Sequence, residues 1–479
     1  MRVESGLRQC REKGSVLIQL ISQRLLQGKT FLSHLRLSSS LFPEFLYLLT
    51  SSPVIIRSFH LHSIDSTSGA EVLWRLPVGL KKLWIEGGSG VEQLYETMDL
   101  VGKEDTWALC ELKELRLEGV SMDRNGEVKV GKLVKRLKGL ERLELVNCGV
   151  DSRVCQVLGE ALLRLPNLLS LSLSSNSLRD SGMVLLSSVL PNLLSLCLNC
   201  CHLSKSGLTA LLSCLPASTA TLELASNALA GEGMEAFEVY AERLRGLQTL
   251  DVSGNDMGPE GMQHLVLLLR TAKALKTLRL DCNYIGSIGF AYMLTAFYMR
   301  HLDAGARGKA ALEGLGLSMN DIEAGALSKL APQLQQLYEV KYLDLSTNHI
   351  GPVGAATLSP VLPYFPNLQL LNLNDTSLHD SGLTSLSASL RRLPYLRTLL
   401  LGSNSITTKG LKALTREIKS LPELEELGLA GNQIGDSAVD LVLEDLWACV
   451  ELRTLDLTNC PLSLQTLARL APRFLIAPL

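Results

Sequence analysis

Three groups of residues in this 479-residue chain have types and spacings suited to chemistry. The first is Cys197, Cys200, Cys201 and His202, with Cys214 downstream; C-x-x-C-C-H brings thiolates and an imidazole close enough in sequence to close on zinc. The same thiols suit a redox-sensitive pair, or plain packing and surface positions. The second is Arg36, His60, Trp84 and Arg116, cationic or aromatic residues at one recurring position of a repeat. The third is aromatic: Tyr284, Phe290, Tyr292, Phe297 and Tyr298 fall close together in a chain that is only 5% aromatic, and Arg300, His301, Arg307 and Lys309 follow them. The eight histidines share no Ser or Cys context of the kind that nucleophilic catalysis needs. No catalytic residue, cofactor or metal is therefore expected, the zinc spacing notwithstanding.

The elements that must carry these groups are written most clearly in LLSLSLSSNSLRDSG, residues 168–182. Its skeleton is Leu168, Leu171, Leu173, Asn176 and Leu178, that is L-x-x-L-x-L-x-x-N-x-L, with Gly182 following. Leu171 and Leu173 alternate with serines, which predicts a short strand with one apolar face. The Asn side chain has both donors and an acceptor for backbone groups at a bend. Gly182 stands where a Cβ would crowd the next segment, and Met183 and Leu186 then follow at helical spacing. Such a unit cannot bury its leucines alone and needs a copy on each side.

Copies fill the chain. From Leu112 strands are expected to begin at 112, 140, 168, 193, 219, 247, 275, 312, 340, 368, 396, 424 and 452, mostly 28 residues apart. Three less regular copies precede them, at Leu32-Leu35-Leu37, Ile56-Phe59-Leu61 and Leu80-Leu83-Ile85. The ninth position is Asn in most copies and Cys at 148, 201 and 460, with Val120 and Thr376 departing from the pattern. One step is 37 residues, which predicts a helix extended to about Leu302 followed by a loop over 303–309.

The 28-residue period, with N-x-[IL]-x-x-x-G and a long helix, resembles the ribonuclease-inhibitor-like leucine-rich repeats, over about residues 32–462. The resemblance implies an α/β solenoid, a horseshoe of about 16 repeats with a parallel sheet on the concave face and helices on the convex face. It implies protein binding by one of several kinds of protein: ribonuclease inhibitors, Ran GTPase-activating proteins, the sensing arm of NLR receptors, or scaffold subunits of ciliary or cytoskeletal complexes. No G-x-x-x-x-G-K-[ST] run is present for a nucleotide module, and the chain ends RFLIAPL without the acidic tail of the Ran-activating family.

Composition narrows the field. A net charge of −2 gives no electrostatic case for nucleic acid. Mean hydropathy is +0.20, but no apolar run approaches the roughly 18–20 residues of a membrane span. Eleven scattered cysteines point to free thiols in a reducing compartment, so a cytoplasmic protein is expected, with nuclear or cytoskeletal and ciliary sites as alternatives. The first residues lack the apolar core of a secretory signal. The expected organisation is an N-terminal cap over 1–31, built on an amphipathic helix at 15–27, then irregular repeats over 32–111, regular repeats over 112–462 with an insertion near 300–311, and a C-terminal cap over 463–479. Function is expected to be non-enzymatic scaffolding or adaptor binding of a protein partner, with Arg36, His60, Trp84, Arg116, Tyr298, Arg300, Arg307 and Lys309 as contacts. The alternative for the first four is solvated sheet residues. For the insertion it is an aromatic core beneath a longer helix.

Overall fold

The computed structural model describes residues 31–38, 55–62, 80–87, 111–120, 126–190, 192–304 and 312–475. The expected cap helix at 15–27, together with Arg307 and Lys309, lies outside these residues. The chain divides into two compact units, residues 1–219 and 220–479. The boundary follows the two shortest of the regular repeats from Leu112 on, of 25 and 26 residues.

The first unit contains strands β1 (Phe31–Ser38), β2 (Ile55–His62), β3 (Lys82–Glu86), β4 (Glu114–Glu118), β5 (Arg142–Val146), β6 (Ser170–Ser172) and β7 (Ser195–Cys197). Each pairs in parallel with the next, and the register joins equivalent repeat positions: Leu35 to Phe59, Phe59 to Leu83, Leu83 to Leu115. The irregular early copies thus sit in the register their leucines imply. The second unit contains β8 (Thr221–Glu223), β9 (Thr249–Asp251), β10 (Thr277–Arg279), β11 (Gly314–Gly316), β12 (Tyr342–Asp344), β13 (Leu370–Asn372), β14 (Thr398–Leu400), β15 (Glu426–Gly428) and β16 (Thr454–Asp456). These too are parallel and in register, including across the 37-residue step, where Leu278 pairs with Leu315. Each unit is an α/β leucine-rich-repeat solenoid, strands along one face and helices along the other.

The local causes repeat. The eighth residue of every described repeat from Gly87 to Asn459 is left-handed, for example Ser175 at φ 59°, Met319 at 57° and Thr347 at 53°. This reverses the chain at the strand end and turns the ninth side chain inward. There Asn404, fully buried, accepts from the backbone N–H of Thr376 and Leu378 at 3.1 Å each and donates to the carbonyls of Leu373, Leu401 and Gly402 at 2.7, 3.1 and 3.0 Å. Backbone groups of two successive repeats are satisfied by one amide. Helices then pack repeat against repeat. A Cβ on Gly261 would lie 2.7 Å from Met257 Cβ and 3.1 Å from Gly231 Cα, so glycine permits the close approach. At the C-terminal end Leu475 donates to the Arg453 carbonyl at 2.7 Å and accepts from Leu455 N–H at 3.2 Å, covering the free edge of β16.

Candidate functional site

On the strand face of the first unit, register pairs Arg36 with His60, His60 with Trp84, Trp84 with Arg116 and Arg116 with Glu144. The parallel strands hold these positions at one repeat height, and the side chains of His60, Trp84 and Arg116 stack. The His60 and Trp84 rings lie 3.7 Å apart at an interplanar angle of 3°, and the Arg116 guanidinium sits 4.5 Å from the Trp84 centroid on its other face. The Trp84 indole N–H is buried without a hydrogen-bond partner. Arg116 and His60 are already engaged. Arg116 holds Glu118 at 2.7 Å and Glu144 at 2.9 Å, and His60 lies 3.0 Å from Glu86. Burial alone would lower the Arg116 pKa, but its bonds to Glu118 and Glu144 hold it above its ordinary value. Three glutamates, Glu86, Glu118 and Glu144, thus rim the stack. Of Arg36 only the backbone position is described.

The second unit presents a different surface. Gly314 and Gly316 leave β11 without side chains on the exposed face, and a hollow of about 570 Å³ opens there. Asp251, Asp281, Asp344, Arg279 and Tyr342 stand around it. Asp281 leans over Gly316, where a Cβ would come within 2.5 Å of its carboxylate. Burial pushes the Asp281 carboxyl above its usual range, and the neighbouring carboxylates of Asp344 and Asp251 push it further, against the Ser318 N–H that it accepts at 2.8 Å. Sequence reasoning missed this hollow. Its signal was two glycines at alternate positions of one strand.

The inserted repeat forms one long helix, Gly286–Ala304, in accord with the expected extension. Phe290 and Phe297 are buried, while Tyr298 is 40% exposed beside exposed Met299 and Leu302. Arg300 is a correction: it is 1% exposed, with its Nη2 donating to the Lys273 carbonyl at 2.8 Å, so it faces the interior. Helical spacing explains this, since Arg300 lies three and four residues past the buried Phe297 and Ala296.

The cysteine group does not assemble. Cys201 is buried and its Sγ donates to the Leu173 carbonyl at 3.2 Å, Cys200 is exposed at the left-handed bend, and Cys197 lies 3.0 Å from Ser174 Oγ. Cys148 and Cys460 donate in the same way to carbonyls of the preceding repeat, at 3.2 and 3.4 Å, so Cys replaces Asn as a donor in the ladder. Burial pushes the Cys201 thiol up to about 12 and that of Cys148 to about 11. Among the described residues no three His, Cys, Asp or Glu side chains are grouped to hold a metal ion. None of the described helices is long and apolar enough to cross a membrane.

A second set of residues was also missed. Asp380 accepts from the N–H of Thr407 and Gly410 at 2.8 and 3.0 Å and from the Thr407 hydroxyl at 2.6 Å, tying one helix start to the next, and Asp180 does the same for Ser204. The signal was D-S-G in one repeat and Ser or Thr three residues before the glycine in the next.

Comparison with known proteins agrees with the repeat. The family model described as "Leucine Rich repeat" matches residues 164–187, 245–266, 340–359 and 392–414. These four stretches are leucine-rich repeats by that model, in accord with the repeating strand-and-helix fold. No curated protein matches its sequence. Among solved structures, an internalin from Listeria monocytogenes is similar at 18% identity over 74% of this chain and 94% of its own, with a TM-score of 0.45. A leucine-rich-repeat protein from Leptospira interrogans is similar at 19% identity over 84% and 90%, with a TM-score of 0.40.

Proposed function

We propose that this chain is a non-enzymatic scaffold or adaptor of the ribonuclease-inhibitor-like kind, which docks a protein partner on its strand faces and acts as a subunit of a larger cytoplasmic assembly. The observation that carries this reading is the His60–Trp84–Arg116 stack. Large aromatic and arginine side chains dominate binding energy where they are already ordered, because little side-chain entropy is left to lose on association. Trp84 is clamped on both ring faces, so a partner meets a rigid anchor rather than a mobile one. The glutamates around it, and Asp251, Asp281 and Asp344 around the second unit's hollow, favour a partner that presents basic side chains. Tyr298 on the inserted helix adds an exposed aromatic contact, and Arg307 and Lys309 complete that contact in the proposal.

The 28-residue period and the helix in each repeat support the subclass. The free thiols among the described cysteines support a reducing compartment. A Ran-type GTPase activator would need an arginine free to reach a phosphate. Arg116 would first have to leave two carboxylates, which disfavours that alternative at this position. Affinity purification from the native cell tests the proposal. Trp84→Ala is expected to weaken capture of the principal partner by about 2 kcal/mol, with a smaller change in thermal midpoint. Undiminished capture would remove the stack from the interface.

A further inference from the structure

We propose that the hollow at the helix ends of the second unit binds a phosphate-class oxyanion. The hollow measures about 510 Å³ and is lined by Arg245, Leu267, Arg270, Thr271, Lys273 and Asp303. Successive repeats build it. Arg245 follows the short helix Ala241–Leu244, Arg270 lies in the last turn of Gly258–Thr271 with Lys273 just beyond, and Asp303 comes from the last turn of Gly286–Ala304.

A helix C-terminus attracts a cation through its dipole, and that accounts for one basic residue at each of the first two ends, but not for the second basic residue beside Arg270. Two features go beyond it. Arg270 uses only its Nη2 on Asp303, at 3.0 Å, and its Nε is buried without a hydrogen-bond partner. Arg300 lies directly behind Lys273, almost wholly buried, with a single bond to the Lys273 carbonyl and with Nε and Nη1 unpartnered. Burial pushes the Arg300 pKa down to about 10, with no carboxylate to offset it. Three cationic side chains, Arg245, Arg270 and Lys273, thus line the hollow against two carboxylates, Asp303 and the Glu242 that pairs with Arg245, while Arg300 adds a buried charge from the interior. The Thr271 hydroxyl spends its proton on the Leu267 and Leu268 carbonyls, so recognition rests on charge.

Asp303 occupies the place of the ligand. Its carboxylate takes one N–H of Arg270, at Nη2. A tetrahedral dianion displacing it takes both Nε–H and Nη2–H and still has oxygens for Lys273 and Arg245. The corresponding hollow in the first unit, about 510 Å³ between Lys135, Lys138, Glu160, Leu163 and Arg164, contains no such unpartnered guanidinium, and Lys135 there is paired with Glu160 at 3.1 Å. It serves as the internal control.

Titration calorimetry on the full chain at low ionic strength tests the proposal, with inorganic phosphate, a phosphoserine peptide and the same peptide unphosphorylated as probes. Saturable phosphate binding is expected, weakened at least about tenfold by Lys273→Gln, strengthened several-fold by Asp303→Asn and unchanged by Lys138→Gln. The two hollow variants involve exposed side chains, so folding is not at stake. A phosphopeptide that binds tighter than free phosphate identifies a phosphorylated protein as the source; a phosphopeptide that binds no tighter identifies a free anion. Absence of saturable phosphate binding, an unphosphorylated peptide binding equally well, or Lys273→Gln without effect would each overturn it.

Discussion

Asn404 shows what a single side chain does in this fold. It bonds with backbone groups on both sides of its own turn and sits at 0% exposure. Truncation to alanine strands several buried donors and acceptors at once, each costing about 1–3 kcal/mol when unpaired. Asn404→Ala is expected to lower unfolding free energy by about 3 kcal/mol in a urea titration, whereas loss of under 1 kcal/mol would mean water replaces the amide. Buried thiols set a pH limit, both where Cys stands in for Asn, at Cys148 and Cys201, and inside the helix Ser152–Leu162 that carries Cys155. The thiols of Cys155 and Cys201 are pushed up to about 12 and that of Cys148 to about 11 by burial, against an ordinary value near 9. Between these values the folded state retains protons that the unfolded chain releases. Stability is therefore full below about pH 9 and declines as pH rises, by at most about 1.4 kcal/mol per thiol per pH unit. Thermal midpoints measured from pH 8 to 10.5 should fall in the upper half of that range, and Cys155→Ala should blunt the fall.

At the scale of the repeat, the left-handed eighth residue is the costly step. It is required for the strand to end and for the ninth side chain to turn inward, yet a left-handed residue other than glycine pays about 1 kcal/mol. Thr347 carries that conformation with a β-branched, exposed side chain. Thr347→Gly is expected to stabilise the protein by roughly 0.5–1 kcal/mol in denaturant unfolding; a destabilised variant would show that the threonine side chain contributes something the backbone angle hides. The helices follow another rule. Their glycines mark the points of closest contact between neighbours, and Asp180 and Asp380 lock each helix start to the next. The inserted repeat keeps strand register and lengthens only its helix, so the extra residues leave the sheet undisturbed.

Over the whole molecule, stability is a sum of neighbour contacts within each unit, since every repeat touches chiefly the repeats on either side. Leu371 in β13 is fully buried. Leu371→Ala is expected to cost about 2–5 kcal/mol. Hydrogen exchange should accelerate most in β12, β13 and β14 and less in β16. Uniform acceleration through the second unit would instead indicate one all-or-none block.

By itself the amino-acid sequence determined the period, the parallel order, the long helix of the insertion, and the column that brings His60, Trp84 and Arg116 together. It could do so because in a solenoid the neighbours of each residue lie one period away, so sequence distance converts directly into spatial contact. The strands from β4 on begin two residues past the leading repeat position at which they were expected, at Glu114 rather than Leu112 for example. Tertiary structure decided the rest. Whether Arg116 is free or held by Glu118 and Glu144, whether Arg300 faces outward or inward, and whether two glycines open a hollow all depend on side-chain directions and partners a repeat or more distant. A repeat pattern fixes which residues are neighbours; it does not fix how their charges are shared.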